Sequence, residues 1–505
     1  MNSPESVPVI VETTSGKVEG SQRGAVCVFK GIPFATAQRW HAPQRVSAWA
    51  GVRSAKQQGH IAPQNPTQLQ GLLGTSGGTI GEDCLSLNIW SPGVDSTKRP
   101  VMVWIHGGAF TTGAGSLGLY TGKHLAESGN TVIVTINYRL GSFGFLRLAD
   151  ISSGRSGSSG SEGLLDQISA LEWVRDNIAS FGGDSGNVTI FGESAGAMSV
   201  VSLMASPKAK GLFHKAISQS GGGHMTHTRE HANRIAEVFV QHSGLSVREL
   251  EAAPIEILLK AQLDLINEVD NMHDPHKLGT MPFQPAIDGQ VLNTVPIDAV
   301  RSGSAKGVAL IAGTTSEEWK LWTALDSKMQ AMDEGKLARW AERMFGDDAG
   351  ALLDANAGGS PYERYVFMQT QRAFREPTER LLAAQAGHAA VFDYRFDWKS
   401  PAVGGAFGAC HAIELGFVFG SHSIKGPDNF FGKGEAADAI NRAMMRAWTS
   451  FAAGGAPKLD GASWPQWRND ESDLAIFGSQ AGPAVVQHLE RPSAWAAISD
   501  AKIGV

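Results

Sequence analysis

The chain is 505 residues long, 42% hydrophobic and 18% charged, with a formal net charge of −6. Mild acidity without basic runs excludes the electrostatic footprint of a nucleic-acid binder and points to a substrate that carries little charge. No stretch is long and apolar enough to span a membrane, and three scattered cysteines, Cys27, Cys84 and Cys410, do not make a disulfide framework.

The opening MNSPESVPVI lacks the basic and apolar regions of a secretory signal, so a cytoplasmic, reducing setting is the expectation. Further on, VMVWI (101–105) and TVIVTI (131–136) read as buried strands. SSGRSGSSGSEG (152–163) is low in complexity and reads as a surface loop. No strand leads its glycines into a phosphate-cradling turn. GLLDQISALEWVRDNIASFGG then places Leu164, Ile168, Leu171, Val174 and Ile178 at helical spacing. VTIF (188–191), HKAIS (214–218), VALIA (308–312) and AAVFDYRF (389–396) continue the series of strands. The stretches around 228–270 and 324–388 read as helical insertions. Continuous apolar strands alternating with helices predict an α/β fold: one domain over 1–505, with a mostly parallel central sheet covered on both faces.

Two stretches carry chemistry. GESAG, Gly192 to Gly196, sets Ser194 between a strand and a helix in a G-x-S-x-G pattern. Such an elbow strains the turn so that the serine Oγ stands clear of the backbone, and it needs flanking glycines because any Cβ would collide with neighbouring elements. VMVWIHGGAF puts His106, Gly107, Gly108 and Ala109 directly after a buried strand. Acyl transfer develops negative charge on a carbonyl oxygen, and backbone N–H groups aimed at it supply the largest stabilising effect. The donors expected here are Gly108 and Ala109, joined by Ala195 after the nucleophile.

With these motifs the sequence resembles the type-B carboxylesterases, the group that includes bacterial para-nitrobenzyl esterases and the cholinesterases. The resemblance runs through GKVEG (16–20), FKGIPFA (29–35), GEDCLSLNIW (81–90), FGGDSGNVTIFGESAGAMSV (181–200) and HAIELGFVFG (411–420). It implies the α/β-hydrolase fold and triad residues in the chain order serine, acid, histidine. His411, in GACHAIELGFVFG, matches the family's histidine motif and is the expected base. His388 reads as a packing or surface residue, His422 as bordering the site, and His488 as part of the C-terminal tail. In IAGTTSEEWKLW the resemblance assigns the acid to Glu318 and leaves Glu317 as a solvated loop charge. Trp319 stands where relatives carry glycine and is expected to reshape a pocket wall.

By the same resemblance, Glu193 supports a histidinium and Ser220 steadies the triad from behind. Cys410, beside the base, is expected to pack. Secreted relatives pair the cysteine of EDCLSLN with one some twenty residues earlier; here HIAPQ (60–64) leaves Cys84 without that partner. Ser161 stands where relatives often carry asparagine. Three histidines in HMTHTREH, His224, His227 and His231, could suggest zinc, yet no HExxH, CxxC or suitably spaced carboxylate accompanies them, so a pocket wall is expected. Phe110, Trp319 and Trp322 suit an apolar pocket.

The resemblance implies a serine esterase that hydrolyses small, uncharged carboxylic esters to acid and alcohol through an acyl-enzyme. No metal or cofactor is implied. Amide or carbamate hydrolysis uses the same residues, and the Gly-Gly-Ala loop suggests room for esters of bulky alcohols. A non-catalytic binding protein on the same fold is disfavoured, because all three triad residue types are kept.

Overall fold

Apolar, β-rich runs separated by turns and helices join, among the described residues, into one thirteen-stranded sheet. The computed structural model describes residues 7–67, 78–152, 156–270, 276–424, 429–468, 473–479, 481–489 and 493–504. Six parallel strands form the centre, side by side in the order Val132–Ile136, Arg99–Ile105, Gly183–Glu193, Lys215–Gln219, Ala309–Thr315 and Val391–Phe396. All six correspond to runs legible in the sequence. The apolar runs within them follow from burial on both faces. Along Arg99–Ile105, Val101, Val103 and Ile105 enter one core cluster, whereas Met102 and Trp104 enter the other.

Two wings extend this centre. Val7–Thr13, Gly16–Arg23, Val26–Pro33 and Ser86–Ser91 add antiparallel strands at one side. At the other, Asp473–Ser479 lies parallel to Val391–Phe396 and turns back into Gly482–His488. The insertions are helical as expected. Arg229–Ser243 and Ile255–Asp270 come from the first, and Glu334–Phe345, Pro361–Thr370 and Glu376–Ala386 from the second. A third apolar cluster, with Leu337, Trp340, Phe345 and Trp495 at its heart, lies among these later helices.

The small-residue stretch departs from expectation. Residues 153–155 lie outside the described residues, but Ser156, Ser158, Gly160 and Ser161 are buried. The carboxylate of Glu162, at the start of helix Glu162–Asn177, accepts from the N–H groups of Ser159 (2.6 Å) and Gly160 (3.1 Å). Ser161 Oγ donates to Ala286 O at 3.0 Å. Small side chains let this loop fold onto the helix end instead of standing in solvent. Cys27, Cys84 and Cys410 are buried free thiols. The stretch 60–64 is tied instead by an Ile61–Ile80 bridge and a contact of His60 with Asp83.

Asp166, on the inner face of helix Glu162–Asn177, fastens that helix to the sheet. It accepts from the backbone N–H, Nε and Nη2 of buried Arg139, at 3.0, 2.8 and 2.7 Å. Removing one partner of a buried ion pair strands the other charge. Asp166→Ala should therefore lower the unfolding free energy by about 3–5 kcal/mol in urea denaturation.

Candidate active site

Strand Gly183–Glu193 runs into helix Ala195–Ala205 through Ser194, whose backbone sits at φ 58° and ψ −127°. A non-glycine residue holds such a conformation only when its surroundings impose it. Here the Ser194 N–H donates to Gln219 O, and its carbonyl accepts from Met198 N, both at 2.9 Å. A Cβ on Gly196 would lie 2.1 Å from Ile105 O, and one on Gly192 would lie 2.5 Å from the Gly196 carbonyl. The expected need for both glycines is thus met by backbone in direct contact. Between residues 188 and 200, every residue is buried except Ser194.

The loop after strand Arg99–Ile105 presses on this elbow. A Cβ on Gly107 would fall 2.6 Å from Glu193 O and 3.1 Å from Ser194 Cβ. Gly108, Ala109 and Phe110 follow with φ of 113°, 52° and 58°, three consecutive residues in the left-handed region. Thr111 N and Thr112 N close the turn on Gly108 O at 3.0 Å. No described residue accepts from the N–H of Gly108 or Ala109. Ala195 opens its helix, so its N–H has no carbonyl one turn back. His106 pins the loop from below: it stacks on Tyr138 at 4.4 Å, and Tyr138 OH donates to its carbonyl at 2.7 Å. Burial pushes the His106 pKa down to about 4, which leaves a neutral ring.

Glu318, just beyond strand Ala309–Thr315, is fully buried. Its Oε1 accepts from Ser220 Oγ (2.6 Å) and Thr315 N (2.8 Å), and its Oε2 meets His411 Nδ1 at 2.6 Å. The His411 N–H donates to Glu318 O at 3.1 Å. On the far side of the ring, Nε2 lies 3.0 Å from Glu193 Oε1 but off the line of a hydrogen bond. Neither atom has another partner among the described residues. Burial disfavours the imidazolium, but Glu193 and Glu318 outweigh it and push the His411 pKa up to about 10. The structure therefore joins Ser220, Glu318, His411 and Glu193 in one chain that ends beside Ser194. Ser194 Oγ does not hydrogen-bond Nε2 here.

Some other expectations need correction, and the remaining candidate histidines find partners of their own. Glu317 is not a free loop charge: its carboxylate accepts from Ala409 N (2.9 Å) and Lys320 Nζ (2.5 Å), fastening the loop that carries His411. Phe110 is wholly buried against Phe145, at 4.9 Å, and serves the core. Trp319 packs at a tilt against Trp322, with ring centres 5.0 Å apart, and it is Trp322 that reaches His411, at 5.1 Å. His422 pairs with Asp438 and stacks on Phe417. His388 contacts Arg301 O, and exposed His488 meets Asp473. His227 and His231 bond the carbonyls of Pro282 and Leu278, whereas His224 lies near Asp500 at 3.5 Å. The three rings have separate partners, and no cluster of metal-ligating residues occurs among the described residues.

Two neighbours escape a reading of the sequence. Glu414, one turn beyond His411, accepts from Gln219 Nε2 (2.7 Å) and Tyr394 OH (2.8 Å), and Trp448 Nε1 donates to Gln219 Oε1 (3.0 Å). Burial pushes its pKa up to about 8. This network grips Gln219, whose carbonyl holds Ser194. Phe374, which sits in no recognisable motif, packs its ring 4.8 Å from His411.

The model of the carboxylesterase family matches residues 7–492. The chain belongs to the carboxylesterase family. It is 39% identical over 484 residues to the para-nitrobenzyl esterase of Bacillus subtilis, covering 93% of this chain and 95% of that protein. It is 33% identical to the phenmedipham hydrolase of Pseudarthrobacter oxydans, over 96% of this chain and 97% of that one. A solved carboxylesterase of Geobacillus stearothermophilus superposes with a TM-score of 0.85 at 37% identity, over 97% of this chain and 100% of that one. The chain is a carboxylic ester hydrolase of the α/β-hydrolase fold.

Because the space beside Gly196 is filled by backbone, a single methyl there has nowhere to go. Gly196→Ala should cut turnover of 4-nitrophenyl butyrate by about a hundredfold or more, as the elbow shifts to admit the new atom.

Proposed function

We propose that this carboxylesterase works as a serine esterase through Ser194, His411 and Glu318, acting on small, uncharged esters. His411 Nε2 takes the proton of Ser194 Oγ as the hydroxyl attacks the ester carbonyl. Glu318 holds Nδ1–H, fixing the tautomer that leaves Nε2 free to accept. The N–H groups of Gly108, Ala109 and Ala195 receive the oxyanion. The imidazolium then protonates the departing alcohol, and water repeats the sequence on the acyl-enzyme to release the acid. The observation that carries this reading is a buried Nε2 without a hydrogen-bond partner, held by Glu318 and facing the residue next to Ser194. Hydrogen bonds to a nucleophile often close only when substrate arrives. Trp322 and Phe374 give the site an apolar wall. None of these steps calls for a metal or cofactor. We read the whole chain as one catalytic unit, working in a reducing, cytoplasmic setting that suits its buried thiols. Among the described residues no helix is long and apolar enough to cross a membrane.

An organophosphonate probe followed by peptide mapping tests the nucleophile: the adduct is expected on Ser194 and absent from Ser194→Ala, and an adduct on another serine overturns the assignment. The second reading, cleavage of amides or carbamates, is favoured by the likeness to a protein named phenmedipham hydrolase. Matched ester and anilide substrates separate the two, and faster turnover of the anilide would put amide cleavage ahead of ester cleavage. Release of tert-butanol from tert-butyl acetate tests the expected room for bulky alcohols.

The pH profile carries its own prediction. The base acts as neutral imidazole, and Glu193 stabilises the charged form, so Glu193→Gln lowers the His411 pKa. The rising limb of kcat/KM should then move to lower pH by about one unit or more. No movement would mean that Glu193 does not act on the imidazole.

A further inference from the structure

Helix Pro361–Thr370 passes through a single π turn, Gln371–Arg375, before continuing as Glu376–Ala386. Pro377 accounts for the widening. It has no N–H to donate, and inside a regular helix its ring would strike the carbonyl four residues back, that of Ala373. The same proline is wedged against Gly222, where an added Cβ would lie 2.3 Å from Pro377 Cβ. Two arginines lock the turn from either side. Arg372 donates to Gly504 O (2.6 Å) and Gln369 Oε1 (2.9 Å), and Arg375 donates to Asp393 Oδ1 (2.9 Å).

Between those arginines stands Phe374, 2% exposed. Its ring lies 4.8 Å from the imidazole of His411 at an angle of 37°, and it is parallel to Trp322 (4°) at 6.1 Å. Trp322 itself contacts the imidazole at 5.1 Å. The charged groups that face the imidazole are Glu193 from the elbow and Glu318 from the acid loop. The π turn adds only arginines, and both are directed to other partners.

We infer that Phe374 is a positioning residue for His411: backed by Trp322, its ring sets the plane of the imidazole and keeps water off it. Nδ1 then stays on Glu318 while Nε2 stays within reach of the elbow. The π turn is the device that delivers the ring to this place. The inference rests on His411 being the general base.

Steady-state turnover of 4-nitrophenyl acetate by Phe374→Ala, Phe374→Tyr and His411→Ala tests it. Phe374→Ala should lose about tenfold or more in kcat with KM within about twofold, because a base free to tilt loses alignment. Water admitted to the imidazolium should also move the rising limb of its pH profile upward. Phe374→Tyr, which keeps the ring, should recover most of kcat. A Phe374→Ala enzyme with unchanged kcat, or with only KM raised and the limb in place, overturns the inference. Should that variant fail to fold, Trp322→Ala, truncated at a half-exposed side chain, takes its place: the same loss of kcat supports the inference and an unchanged kcat overturns it. His411→Ala separates the two levels: retained turnover removes the base assignment itself, whereas a dead His411→Ala beside a normal Phe374→Ala removes only the positioning role.

Discussion

The site depends on how closely backbones approach one another at the nucleophile elbow. A Cβ on Gly196 would lie almost on the carbonyl of Ile105, and Gly107 lies against Glu193 and Ser194. These contacts bring strand Arg99–Ile105, its following loop and helix Ala195–Ala205 to one point. Ser194 pays for that convergence with a strained backbone, which its bonds to Gln219 and Met198 maintain. The proposed nucleophile, Ser194, and the N–H groups proposed to receive the oxyanion are therefore placed by the same constraint. Side chains farther out need only bring the proposed base, His411, to a position already defined.

That delivery is electrostatically demanding. Glu193, Glu318 and Glu414 are all buried near a single imidazole, and each has a different means of being there. Glu318 is satisfied by Ser220, Thr315 and His411. Burial favours the protonated form of Glu414, held between Gln219 and Tyr394. Glu193 Oε1 has no hydrogen-bond partner among the described residues and lies against the imidazole, where its charge favours the imidazolium. Removing the charge of Glu193 or Glu318 alters the field at the other and at Glu414.

The centre of the sheet is legible in the sequence because parallel strands buried on both faces must be continuously apolar. The wings are not. Val7–Thr13 mixes exposed and buried positions, and Ser86–Ser91 carries serine and asparagine inside a fully buried strand. The elbow and the loop with Gly107 and Gly108 are readable because close backbone contact demands glycine at set offsets. Glu318 and His411 come from resemblance, since nothing local in either stretch announces an acid or a base. Phe374 and Glu414 are not readable at all. One depends on a π turn and the other on a network drawn from three distant elements, so their neighbours in space are far away in the chain. Glu317 reads as a solvated charge for the same reason, as its partner Ala409 lies ninety-two positions on.

The helix run that carries Phe374 and the turn at Trp319 also border the third apolar cluster, built around Leu337, Trp340 and Phe345 and set apart from the two that clothe the sheet. A scaffold with a separate satellite core can vary one wall of its reaction chamber without loosening the floor. Substitutions among those helices would then act on the side that bears Trp319 and Phe374, while the strands that lead to Ser194 stay as they are. Adaptation to new substrates has, in this architecture, its own compartment.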